Sequence, residues 1–198
     1  MNQNINMIAP ITDECYNSVE SIAEKLKYFS RPFPQKIVEA AIQCKTEITP
    51  TLLEFLNYAY QNHKTLDPNY MGHLYALFIL AEFKETKAFE VALRILELPE
   101  ASLDILIGDS LTEDYPNILA SLYNGNLESI KRIIENPNTY LFARDTAIRS
   151  LLGLIVESKL EINEVIQYMD TLLDHEIFNN NPEAMGLLIN VISDNISY

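Results

Sequence analysis

A chain of 198 residues that is 48% hydrophobic and 21% charged can fill one substantial core and is too apolar for general disorder. Its net charge of −14, from 28 acidic against 14 basic side chains, disfavours nucleic acid and anionic membrane surfaces, which are bound chiefly through Lys and Arg. Only 5 glycines stand against 9 prolines, and the longest wholly apolar run, Leu74 to Ala81, is far too short to span a bilayer.

In chain order, Met1 to Asn6 has no basic region and no long apolar stretch behind it, unlike a secretory signal. Cys15 and Cys44 lie far apart and outside any CxxC arrangement; one disulfide is the alternative to the first reading, two reduced thiols of a cytosolic protein. A cytoplasmic protein is expected, with a flexible tail over 1–11 and a single helical-repeat domain over 12–198. Helices are expected near 12–29, 34–45, 50–63, 68–83, 86–98, 99–107, 113–124, 127–136, 140–158, 162–178 and 182–196.

Most of these starts are set by proline, whose missing N–H has no partner at the first helical position in any case. Pro34 and Pro99 open two helices. Thr49 and Asp67 read as caps before Pro50 and Pro68, with Ile48 meeting Leu53 and Leu66 meeting Met71 as hydrophobic staples. Asn181 caps the helix that Pro182 begins. Among the stops, Gly108 follows an apolar turn, Asn124-Gly125-Asn126 closes one helix and caps the next, and Asn136 to Thr139 is a break with Thr139 as cap.

Periodicity agrees. Ala88, Phe89, Ala92, Leu93 and Leu96 share one face opposite Lys87, Glu90, Arg94 and Glu97; Ile162, Val165, Ile166, Met169, Leu172 and Leu173 repeat the pattern later. Two segments, Leu74 to Ala81 and Leu151 to Val156, are apolar nearly all round. A helix with no polar face must be covered on several sides, which predicts a central place for both.

Short connections make consecutive helices antiparallel neighbours. The segment His73 to Ala81 aligns with Arg144 to Leu152, each followed by an amphipathic helix; Ile118 to Leu122 with Leu127 to Ile134 makes a third, less regular pair. The expected fold is all-α, a short HEAT-like α-solenoid of antiparallel helix pairs. A compact irregular bundle is the alternative. Glu47 to Leu53, His73 to Phe83 and Gly108 to Asp114 resemble an uncharacterised bacterial family, a domain of unknown function with HEAT-like helical repeats. The likeness runs over about 33–195 and implies a fold without an established chemistry. Relatives often carry a Cys-rich zinc-binding tail; no such stretch occurs here, so zinc is not expected.

Catalytic signatures are missing: there is no HExxH, no serine elbow and no phosphate-cradling glycine loop, and neither cysteine has a neighbouring His. No cofactor is expected. Asp109, Glu113 and Asp114 are the weak metal candidate, three hard oxygen donors in one loop, set against the simpler reading that acids there favour the start of the next helix. His73 reads as a satisfied core histidine, with Gly72 beside it allowing close helix approach.

The remaining candidate is the polar side of the second helix of each pair. Glu54, Asn57, Glu90, Arg94, Lys131, Arg132, Asn163, Gln167 and Asp170 are expected to line the surface that solenoids offer to partners, against the plainer reading of a solvated face. Tyr70, Tyr115, Tyr123 and Tyr140 serve either as interface anchors or as packing between layers. Ala184, Leu187, Leu188, Val191 and Ile192 form an apolar stripe on the last helix, for which self-association or truncation from a longer protein is the expected explanation. The functional expectation is a non-catalytic scaffold or adaptor for a protein partner of unknown identity. The alternative is a divalent-metal-dependent hydrolase or lyase built on the 109–114 loop.

Overall fold

The computed structural model describes residues 18–195, and among these every regular element is helical. The all-α expectation holds. The tail expected over 1–11, Cys15 and the opening residues of the helix expected over 12–29 lie outside the described residues.

The chain begins with α1 (Val19–Leu26), α2 (Gln35–Gln43), α3 (Lys45–Gln61) and α4 (Gly72–Glu82). A 3₁₀ turn, Thr86–Ala88, leads into α5 (Phe89–Leu96), and two short helices follow, α6 (Glu100–Leu106) and α7 (Ser110–Glu113). The rest comprises α8 (Tyr115–Leu122), α9 (Leu127–Glu135), α10 (Leu141–Val156), α11 (Ile162–Leu173), α12 (Glu176–Asn179) and α13 (Pro182–Asn195).

Where a local cap decides a boundary, the structure follows the sequence. Asn181 Oδ1 accepts from the backbone of Glu183 and Ala184, both at 3.1 Å, and Pro182 is the first residue of α13. Asn126 Oδ1 accepts from Ser129 N at 3.3 Å. Gly108 ends α6 with φ +56, and its N–H reaches back to the Leu103 carbonyl at 3.1 Å.

Three expected starts move. Thr49 is no cap: α3 opens earlier, at Lys45, and the Thr49 hydroxyl donates back to the Lys45 carbonyl at 2.7 Å. Pro50 then sits inside the helix; the bond it forgoes is only one, and the extra turn carries Ile48 fully into the core. Asp67 does not open α4 either. Its carboxylate accepts from Asn69 N at 2.8 Å in a local turn, and residues 69–72 pair with an earlier loop before the helix starts at Gly72. Thr139 is buried with its hydroxyl unpartnered, and α10 starts one residue beyond Tyr140. The helix expected over 162–178 is split at His175, whose Nδ1 accepts from Ile177 N at 3.3 Å and starts α12.

Two rows of helices result. In the first row α2 packs on α4, α4 on α8, α8 on α10 and α10 on α13; in the second α3 packs on α5 and α5 on α9. The Tyr168 hydroxyl donates to Glu135 at 2.8 Å, which ties α11 to the end of the second row. The rows meet along α3–α4, α5–α8, α9–α10 and α11–α13, and the buried apolar side chains between them, from Ile22 to Val191, form one core.

Internal similarity between α4 and α10 is visible at their ends. Both finish on a residue with positive φ, Lys84 at +52 and Ser158 at +55. In each case the next N–H returns to a carbonyl five residues back, Glu85 to Leu80 at 3.0 Å and Lys159 to Leu154 at 2.8 Å.

Candidate functional site

The side of the first row that faces away from the second row is not smooth. At its N-terminal end the backbone of residues 27–29 is lashed to residues 69–72: Phe29 N donates to Asn69 O at 2.8 Å, and Met71 N donates to Lys27 O at 2.7 Å. That pairing holds the aromatic loop between α1 and α2 beside the outer side of α4. The recess so formed measures about 650 Å³. Phe29, Phe33, Val38, Leu74, Tyr75 and Phe78 make most of its wall, with Arg31 stacked over the Phe29 ring at 5.4 Å. Phe33 is 65% exposed and Phe78 45% exposed, unusual for large aromatic groups gathered in one place.

Phe78 also lines the next recess, about 370 Å³ between α4 and α8, where Glu82, Lys84, Asp114 and Asn117 stand. Asn117, Ser121 and Glu157 are shared in turn with a third, about 500 Å³ between α8 and α10, which adds Glu113, Arg149, Leu152 and Val156. The three recesses therefore form one furrow running across α4, α8 and α10. Val156 stands on it 83% exposed.

Close helix contact keeps the floor of this furrow shallow and firm. A Cβ added at Gly153 would lie 2.7 Å from the Ala120 Cβ, so α8 and α10 meet where only a glycine fits. At Gly72 an added Cβ would lie 2.8 Å from the Tyr70 hydroxyl and 3.0 Å from the Phe55 ring, the latter on the neighbouring helix α3. Lys159 Nζ donates to the Ala120 carbonyl at 2.7 Å and so satisfies the end of α8.

Electrostatically the furrow changes along its length. The first recess is apolar with one guanidinium. Farther along, Lys84 Nζ lies 2.6 Å from Glu157 and Arg149 Nε 2.7 Å from Asp145, so both cations already have carboxylates. The hydrogen bond from Lys84 holds the Glu157 carboxyl below its ordinary range. Burial pushes the Asp145 carboxyl up, against the opposing pull of Arg149. Glu82, Glu113 and Asp114 enter no ion pair among the described residues.

The nine residues expected to bind a partner lie elsewhere, on α3, α5, α9 and α11 of the second row, and much of their chemistry is directed inward. The Arg94 guanidinium stacks 4.9 Å over the Tyr60 ring, bracing α5 on α3. Arg132 lies 3.5 Å from Glu97, bracing α9 on α5. Lys131 pairs with Glu128 at 2.9 Å and stands 5.0 Å over Tyr168 of α11. Asn57 donates to its own helix at the Leu53 carbonyl, and Glu90 accepts from Asn124 at 3.2 Å. Glu54, Asn163, Gln167 and Asp170 are plain exposed or half-exposed positions on the same row.

The other candidates resolve into local roles. Among the described residues no group of three or more His, Cys, Asp or Glu is arranged to hold a metal ion; Asp109 precedes α7, Glu113 ends it and Asp114 leads into α8. His73 is buried and donates from Nε2 to the Leu106 carbonyl at 2.7 Å, a tautomer fixed by an oxygen that can only accept. Burial pushes its imidazole below the ordinary value. The tyrosines pack: Tyr115 is fully buried and donates to Ala92 O at 3.1 Å, Tyr70 stacks on His73 at 5.7 Å, Tyr123 meets the Phe89 edge at 5.5 Å, and Tyr140 meets Phe142 at 5.5 Å. On α13, Ala184, Leu188 and Val191 are buried and the helix packs on α10 and α11, while Leu187 and Ile192 of the expected stripe are half-buried.

The furrow had a signal in the sequence. The two segments without a polar face, Leu74 to Ala81 and Leu151 to Val156, are central as expected on three sides only. The fourth side of each, carrying Phe78 on α4 and Leu152 and Val156 on α10, opens on the furrow. A further trace is the aromatic density of Tyr28-Phe29-Ser30-Arg31-Pro32-Phe33, which helix periodicity cannot place.

Two curated chlamydial proteins, each named only as an uncharacterized protein, are similar to this chain: one from Chlamydia muridarum (strain MoPn / Nigg) and one from Chlamydia trachomatis serovar D. Each is 34% identical over 161 residues, which is 80% of this chain and 64% of the relative. The chain thus spans under two thirds of the length of these relatives. No solved structure matches it. Among the described residues, no helix is long and apolar enough to cross a membrane. The model of a family described as protein of unknown function (DUF1186) matches residues 17–197, and the chain belongs to that family.

Proposed function

We propose that this protein is a non-catalytic interaction module, a HEAT-like stack of helix pairs that holds a segment of a partner protein in the furrow over α4, α8 and α10. One observation carries the reading: the two helical segments that lack a polar face, Leu74 to Ala81 and Leu151 to Val156, both turn uncovered apolar side chains onto the same furrow. Exposed apolar surface gathered in a concavity loses contact with water when a partner fills it, at about 25 cal/mol per Å² buried. A solvated flank gains nothing comparable, and on the second row Arg94, Lys131 and Arg132 are already engaged with neighbouring helices. A cytoplasmic setting is part of the same proposal.

The test is affinity capture from native lysate with three baits: the unaltered chain, Phe78→Asp with Val156→Asp, and Arg94→Glu with Lys131→Glu. Proteins retained by the first and third baits and lost from the second support the furrow. Loss only with the Arg94 and Lys131 reversals moves the site to the second row. Capture of nothing at low and moderate salt refutes the module.

A further inference from the structure

The furrow differs along its length, and the difference specifies what fits it. At one end the recess walled by Phe33, Leu74, Tyr75 and Phe78 offers apolar surface and no carboxylate. At the other, Glu82, Glu113 and Asp114 project around the α4–α8 and α8–α10 recesses, while Lys84 and Arg149 are already paired with Glu157 and Asp145. The charge left for a ligand there is negative, as is the whole molecule at −14. Long-range attraction and local pairing therefore select the same sign.

We infer that the occupant is a basic, apolar-anchored peptide segment of another protein: a large apolar side chain seated between the 29–33 loop and α4, with Lys or Arg reaching Glu82, Asp114 and Glu113 farther along. This rests on the furrow being the binding surface. Neighbouring packed helices lie about 8–10 Å apart, so the acidic recesses stand roughly 10 and 20 Å from the anchor. An extended chain advances about 3.3 Å per residue and brings its cations there about three and six residues from the anchor. Arg31 at the apolar end repels cations from that position and so sets the direction in which the segment lies.

The experiment is selection of random 12-residue peptides displayed on phage against the whole chain, followed by fluorescence anisotropy with one enriched peptide. The inference predicts enriched sequences with an aromatic or Leu/Ile anchor three to six residues from Lys or Arg. It also predicts at least tenfold weaker binding to Glu82→Gln/Glu113→Gln/Asp114→Asn, equal weakening when the peptide's Lys and Arg are replaced by Gln, and loss of affinity as salt rises. Peptide replacement leaves the protein untouched, so a folding defect in the triple variant cannot imitate the result. Enriched peptides that lack basic residues, or that ignore the triple neutralisation, yet fail on Phe78→Asp, overturn the inference and keep the furrow. Binding indifferent to Phe78→Asp as well overturns both. Failure to enrich any peptide overturns the inference.

Discussion

The two long sides of this molecule use the same kinds of residue for opposite ends. On the second row, Arg94, Arg132 and Lys131 reach across to Tyr60, Glu97 and Tyr168, so that charge and aromatic surface fasten one helix to the next. On the first row, Phe29, Phe33, Phe78 and Val156 stay about half exposed or more, although Arg31 lies over the Phe29 ring and Tyr75 stands beside Phe33. A side chain that braces a neighbour contributes to stability, whereas one that projects into an open recess contributes to it little. The lesson is that a polar helix face can brace its neighbours while an apolar one stays open.

The contrast can be broken most forcefully at the furrow floor. Gly153→Ala places a Cβ against Ala120 and should cost about 1–3 kcal/mol in denaturant unfolding. Gly186→Ala, in a helix where nothing lies within 4 Å, should instead gain a few tenths to about 1 kcal/mol. Equal effects at the two glycines would show that α8 and α10 are not tightly apposed.

A second probe lies beneath the furrow at His73. Folding lowers its pKa from the ordinary 6.5, chiefly by burial, which favours the neutral imidazole in the folded state. Its contribution is fully present above pH 6.5 and is lost as pH falls through the lowered folded value. Stability should therefore drop between pH 6.5 and 5.5 by at most about 1.4 kcal/mol per pH unit. His73→Gln keeps a donor for the Leu106 carbonyl and should flatten that slope; an unchanged slope would assign the acid sensitivity elsewhere.

Smaller effects sharpen the comparison between the sides. Arg94→Ala removes the stacking on Tyr60 and should cost about 0.5–1 kcal/mol in thermal or denaturant unfolding. Phe78→Asp, on a side chain already 45% exposed, should change stability less than Arg94→Ala does, within about 0.5 kcal/mol. The reverse order would make the furrow a structural seam rather than a vacant one.

How much of this was legible depended on the range of the deciding interaction. Asn126, Gly108 and the Asn181-Pro182 pair set helix ends through contacts within five residues, and those ends stood where the sequence put them. Thr49 and Asp67 carry the same chemistry, but a buried Ile48 and a backbone pairing between 27–29 and 69–72 overrode it. The second row was foreseen as a row, because amphipathic period reveals which side of a helix is polar. It could not reveal that Arg94 and Lys131 were occupied, since Tyr60 and Tyr168 stand on other helices. The furrow was missed for a related reason: α4 has no polar face, so its pattern marks it as covered without saying by what.

The most direct test is amide chemical-shift mapping of the whole chain titrated with the selected basic peptide. Perturbations should gather on residues 29–33, Leu74, Phe78, Asn117, Ser121 and Val156 and leave α3, α5, α9 and α11 unmoved. Shifts centred on Glu54, Arg94, Lys131 and Gln167 instead would contradict the assignment of binding to the first row.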